Sequence, residues 1–204
     1  MLNRYARAFF TKVFTPVAKL FLRLGISPDV VTIVGTLGVC AGALAFYPRN
    51  EFFVGTLVIT AFVFSDTIDG VMARMSGRSG KWGAYLDSTL DRLGDAAIFG
   101  GLVLWYAGGG DNVVMAGLAL ACLILGSVVS YAKARAEGLG MTANVGIAER
   151  ADRLVAVLVT TGLVGLGLPE IVLGVVLALL ALASLITVVQ RMWAVRVQAL
   201  AAAS

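Results

Sequence analysis

Apolar runs of membrane-spanning length recur along this chain, at about residues 29–48, 52–74, 82–107, 112–134, 148–168 and 170–195. The hydrocarbon core of a bilayer is about 30 Å thick, so roughly 20 apolar residues cross it as a helix. Its interior admits only helices and closed barrels, because backbone groups there find no water to bond. An all-α membrane protein with six transmembrane helices is therefore expected. Charged residues make up 14% of the 204, where a water-soluble domain carries about a quarter. The connections are too short for a separate soluble domain, so residues 27–204 are expected to form one membrane domain, with residues 1–26 preceding it.

The stretch "NRYARAFFTKVFTPVAKLFLRLG" mixes Phe and Leu with Arg4, Arg7, Lys12, Lys19 and Arg23. That pattern suits an amphipathic helix lying in the headgroup plane of an anionic leaflet, and it serves equally as a positively charged topogenic flank. It lacks the short apolar core and cleavage site of a signal peptide, so no cleaved signal is expected. "SPD" at 27–29 is a helix start, with Ser27 as N-cap, Pro28 in the first turn and Asp29 at the positive end of the dipole. Turns are expected at Pro48, at Gly108–Gly110 and at Pro169. The connections on that side hold one basic residue, Arg49, while the other side holds nearly all the rest. Both termini are therefore expected at the cytoplasmic face of the cell membrane.

Against this apolar background, "SDTIDGVMARMSGRSGKWGAYLDSTLD" carries Asp66, Asp69, Asp87 and Asp91. A carboxylate near hydrocarbon costs several kcal/mol, which makes it a functional hypothesis by default. The second span runs into a short turn and the third runs back. Counted from Arg78, Asp69 and Asp87 are each nine residues away, and Asp66 and Asp91 twelve and thirteen. Asp66, Asp69, Gly70 and Ala73 share one helical face, as do Gly83, Asp87 and Asp91. Two acidic stripes are expected to meet across a groove. Four close carboxylates repel one another unless a positive charge sits among them, and a divalent cation is the economical answer. Histidine is absent, and Cys40 and Cys122 lie in apolar runs as small hydrophobes. Oxygen donors alone favour Mg²⁺, Mn²⁺ or Ca²⁺, and four acids suffice for two ions clamping a phosphoryl group. Bare Gly70, Ala73 and Gly83 would let a bulky ligand approach the backbone. The bland alternative is helix packing by small residues, with Asp66 and Asp91 paired to Arg74 and Arg92. Packing has no need of four acids in register. Asp95 continues the stripe and is expected to pair with a neighbouring helix rather than touch metal.

The pattern Asp66-x2-Asp69-Gly70-x2-Ala73-Arg74-x8-Gly83-x3-Asp87-x3-Asp91 resembles the signature of the CDP-alcohol phosphotransferase family at every defined position. The resemblance extends to six spans and to "SPDVVT" before the motif. It implies that Asp66, Asp69, Asp87 and Asp91 are ligands of a two-metal site, taking Mg²⁺ with Mn²⁺ as the alternative, and that Asp91 is also the general base. It further implies that Asp29, Thr32, Gly70, Arg74 and Gly80, with Ala73 and Gly83 beside them, hold a CDP-linked lipid. A homodimer is also implied. No nucleic-acid partner is expected.

Lys133 and Arg135 end the fourth span, Arg150 and Arg153 begin the fifth, and Arg191 and Arg196 end the sixth. Ordinary positive flanks account for most of them, yet converging cations also suit a phosphate on the acceptor alcohol. "SYAKARAE" and "IAERADRL" are similar to stretches of the actinobacterial phosphatidylinositol phosphate synthases. This likeness implies that the phosphatidyl group of CDP-diacylglycerol passes to inositol 1-phosphate, whose phosphate is held by Lys133, Arg135, Arg153 and Arg191. Glycerol 3-phosphate is the rival acceptor. An ion or proton transporter is the alternative from another class, opposed by the lack of any polar path through segments such as "GVVLALLALASL".

Overall fold

The computed structural model describes residues 2–77 and 80–202, with side chains from Val13 onward. Arg78, the midpoint from which the hairpin was counted, and the side chains of Arg4, Arg7 and Lys12 lie outside the described residues. Among those described, the chain is helical and contains no strand: α1 (Leu2–Arg23), α2 (Pro28–Phe46), a 3₁₀ turn (Tyr47–Arg49), α3 (Phe52–Val63), α4 (Ser65–Met75), α5 (Lys81–Ala107), α6 (Val113–Gly138), α7 (Arg150–Val164) and α8 (Glu170–Ala201).

Among the described residues, four stretches are long and apolar enough to cross a bilayer: Pro28–Arg49, Phe52–Met75, Val113–Gly138 and Glu170–Ala201. The two other expected spans are helices of a different character. At 27 residues α5 is about 40 Å long at 1.5 Å per residue, but Asp87, Asp91, Arg92 and Asp95 lie toward its N-terminal end and middle. With 15 residues, α7 reaches only about 22 Å.

Two compact units partition the chain. The first holds the chain up to Ala45 together with Leu57–Ile98. Ser27 caps α2 as expected, its Oγ accepting from the Val30 N–H at 3.3 Å. The span expected over 52–74 corresponds to Phe52–Met75, interrupted at one residue: α3 ends at Val63 and α4 begins at Ser65, whose Oγ donates to the Phe62 carbonyl at 2.6 Å. A serine that bonds back into the preceding turn competes with the helical hydrogen-bond ladder. Gly35 of α2 makes room for this serine, since a Cβ there would overlap its side chain. Past this interruption, α4 is two-faced. Val71 and Met72 are buried with Ala18 and Val31, and Phe21, Leu22, Ile26 and Ile68 pack around them. The apolar face of α4 thus rests on α1, and Asp66, Asp69, Gly70 and Ala73 share a different face.

In the second unit, Phe46–Thr56 joins the chain from Phe99 onward. Here α6 and α7 both pack against α8, around buried Ala119, Cys122, Val129, Val157, Leu173 and Leu177. Cys122 donates to the Leu177 carbonyl at 3.1 Å, a packing use of the thiol. Asn112 caps α6 by accepting from the Met115 N–H at 3.2 Å, and Pro169 stands at the N-cap of α8. At 32 residues α8 is about 48 Å long, well beyond the ~30 Å of the hydrocarbon core.

Candidate functional site

Three helices of the first unit wall a cavity of about 300 Å³. From α2 come Pro28, Asp29 and Thr32; from α4 come Asp66, Asp69, Gly70, Ala73 and Arg74; Gly80 precedes α5, which adds Gly83, Ala84 and Asp87. Every residue expected to hold the CDP-linked lipid lines this one cavity. Two hydrogen bonds lace its walls. Thr32 Oγ1 donates to Asp69 Oδ2 at 2.5 Å, joining α2 to α4, and Trp82 Nε1 donates to Asp29 Oδ2 at 3.0 Å, joining α5 to α2.

The acids divide three and one. Carboxylate oxygens of Asp66, Asp87 and Asp91 lie within 4.8 Å of one another. Asp69 is buried and committed to Thr32. At about 4 Å, two like charges repel by ~1 kcal/mol in bulk water and ~4 kcal/mol at an effective dielectric of 20, so the trio favours a cation among its oxygens. The donor set fits one. Oxygens sharing one Mg²⁺ stand at most about 4.2 Å apart and those sharing one Ca²⁺ at most about 5 Å, a scale comparable with the 4.8 Å within which the three oxygens lie. Carboxylates with no thiolate or imidazole select hard divalent ions.

Glycines separate the packing explanation from the ligand explanation. At Gly35, Gly38 and Gly42 a Cβ would press on Ser65, Phe62 and Val58, so those positions serve the contact of α2 with α3 and α4. At Gly80 and Gly83 a Cβ would meet nothing within 4 Å. Helix packing does not require their bareness, and a Cβ at either would protrude into the cavity they line. The Arg74 guanidinium lies over Gly70, 3.5 Å from where a Cβ would sit.

Arg92 realises part of the bland alternative, approaching Asp91 at 3.9 Å and Asp95 at 3.6 Å. The Arg92–Asp95 bridge lies within α5, one turn apart. These longer distances are ion pairs of modest strength beside solvent.

The expected acceptor residues lie in the second unit. Arg153 is buried, its guanidinium packed on Gly126 and its Nη1 donating to the Ala148 carbonyl at 3.1 Å. Arg191 is also buried; its Nε donates to the Val145 carbonyl at 3.0 Å and its Nη1 to the Val129 carbonyl. A positive flank needs no burial, so these two arginines ask for another reason. Lys133 pairs with Glu137 at 3.8 Å, and Arg135 is exposed beside a groove of about 440 Å³ that Arg191 and Arg196 also line. Sequence reasoning missed Trp82, Thr187 and Gln198. An exposed Trp next to Gly83 in "GKWGAY" was a usable signal for the first, since indoles gather at membrane interfaces and donate one hydrogen bond.

The sequence model of the CDP-alcohol phosphatidyltransferase family matches residues 25–148. A phosphatidylinositol phosphate synthase of Streptomyces avermitilis is 57% identical, over 96% of this chain and 83% of that protein. One from Cutibacterium acnes is 48% identical over 93% and 95%. Among solved structures, the Mycobacterium tuberculosis phosphatidylinositol phosphate synthase with CDP-DAG bound superposes with a TM-score of 0.86 at 42% identity, covering 90% of this chain and 94% of that one. The same enzyme in complex with manganese and citrate gives 0.84 at 43% identity, covering 89% and 88%.

Proposed function

We propose that this chain, which belongs to the CDP-alcohol phosphatidyltransferase family and carries several helices apolar enough to cross a bilayer, transfers the phosphatidyl group of CDP-diacylglycerol to a hydroxyl of inositol 1-phosphate. The products are CMP and phosphatidylinositol phosphate. One observation carries this reading: a trio of carboxylates, Asp66, Asp87 and Asp91, stands beside a cavity whose floor is kept bare at Gly80 and Gly83. The relatives named phosphatidylinositol phosphate synthase support the choice of acceptor.

In this reading Asp29, Thr32, Gly70, Ala73, Arg74, Gly80 and Gly83 receive the CDP portion of the donor, and the indole of Trp82 steadies Asp29 at the rim. Asp66, Asp69, Asp87 and Asp91 hold two divalent ions, Mg²⁺ or Mn²⁺. When bound, these would neutralise charge on the diphosphate and on the departing CMP. Thr32 fixes one Asp69 oxygen by hydrogen bond and so orients the other. Asp91 takes the proton from the attacking hydroxyl. Lys133, Arg135, Arg153 and Arg191 hold the acceptor's phosphate. We further propose that α5 and α7 complete six crossings, that α1 lies in the interface, and that the active site faces the cytoplasm of the cell membrane. A homodimer completes the proposal. Membership of a transferase family removes the ground for the transporter alternative.

An acceptor panel tests the specificity. Purified protein supplied with CDP-diacylglycerol is expected to release CMP with inositol 1-phosphate and to form phosphatidylinositol phosphate, with glycerol 3-phosphate at least tenfold poorer in kcat/KM, about 1.4 kcal/mol in transition-state binding. Turnover of glycerol 3-phosphate in preference to inositol phosphate would replace this reading with the rival one.

A further inference from the structure

Residues 139–149, between α6 and α7, form neither helix nor strand, yet their backbone is tied along one stripe of α8. Thr187 Oγ1 accepts from the N–H groups of Ile147 at 3.1 Å and Ala148 at 3.2 Å, and donates its own proton to the Ala183 carbonyl at 2.8 Å. That uses the hydroxyl's single donor and both lone pairs. One turn later Arg191 Nε reaches the Val145 carbonyl. Two turns beyond, the Gln198 amide brackets Thr142, its Oε1 accepting from the N–H at 2.9 Å and its Nε2 donating to the carbonyl at 2.6 Å. Spacings of four and seven place positions 187, 191 and 198 on one helical face. Gly146 permits the approach: its φ is 144°, and a Cβ there would overlap the Thr187 methyl.

Both buried arginines hang on this strap. Ala148, whose N–H is held by Thr187, offers its carbonyl to Arg153, and Val145 offers its carbonyl to Arg191. The strap on α8, together with Val129 and Gly126 of α6, therefore holds the two guanidinium groups in place. We infer that the 139–149 strap is a positioning device for the acceptor's phosphate, with Thr187, Gly146 and Gln198 as positioning residues; this rests on the reading of Arg153 and Arg191 as acceptor-binding groups.

Thr187→Val keeps the side chain's shape and deletes the hydroxyl, and Gln198→Ala cuts the far end of the strap, where the amide bonds are partly exposed. In the full-length protein, amide hydrogen exchange over residues 142–148 is expected to quicken by about tenfold or more in either variant. The KM for inositol phosphate should rise by about tenfold, while kcat and the KM for CDP-diacylglycerol stay within about twofold. Thr187→Ser should restore the wild-type values. Exchange that quickens without any change in acceptor KM overturns the positioning role, and unchanged exchange in both variants overturns the strap itself. Should Thr187→Val fail to fold, Gln198→Ala alone decides between these results. Arg153→Ala is the control on the underlying reading. If it leaves the acceptor KM unchanged, that reading falls and takes this inference with it, recognisably so because the strap variants would still alter exchange.

Discussion

Asp91→Asn is expected to lower CMP release by about 10²- to 10⁴-fold, the usual contribution of a positioned general base, while CDP-diacylglycerol binding stays within about twofold. The amide matches the carboxylate in shape but has no basic oxygen for the hydroxyl proton. Asp91 sits one turn beyond Asp87 on α5, with an oxygen within 4.8 Å of oxygens of both Asp87 and Asp66, so the substitution also weakens the metal site. Measuring turnover against rising Mg²⁺ separates the two effects. The part of the loss that persists at saturating metal belongs to proton removal, and near-normal turnover there would take the base role from Asp91.

Asp87→Asn should behave differently. It removes one negative charge and one strong oxygen donor from the same trio, and its cost falls on metal affinity. Even residues that only support a metal's ligands cost tenfold to a hundredfold when replaced, so turnover at about 1 mM Mg²⁺ should fall by at least that much. It should then recover substantially as the metal concentration is raised. A loss that no concentration of Mg²⁺ or Mn²⁺ relieves would mean that Asp87 does not hold metal.

These two residues also illustrate what the sequence made legible. The four-residue spacing of Gly83, Asp87 and Asp91 and the three-four spacing of Asp66, Asp69, Gly70 and Ala73 fix which residues share a face, because helical periodicity depends on backbone geometry alone. The structure puts those two faces around one cavity. Ser27 at the start of α2 was legible for a similar reason, since its cap bond is local.

What escaped detection depends on partners distant in the chain. The Ser65 side chain needs Gly35 beside it, thirty residues earlier, and neither residue announces the other. Asp69 differs from the other three acids because Thr32 claims it, a bond across 37 positions. Thr187 and Gln198 look like ordinary polar residues on an apolar helix. Their partners are backbone groups of an irregular loop, which leave no side-chain pattern to read. The expected six equal spans also blurred a physical distinction. Apolar length and low charge coincide in four stretches, whereas α5 combines length with a charged half and α7 is short.

The central claim is that divalent ions held by the Asp66, Asp87 and Asp91 trio are required for breaking the donor's diphosphate. Its most direct test is CMP release from CDP-diacylglycerol and inositol 1-phosphate by purified protein after exhaustive chelation and buffer exchange. The account predicts release near background, restored by Mg²⁺ or Mn²⁺ and not by Na⁺ or K⁺. Release at the full rate in the metal-free protein would contradict it.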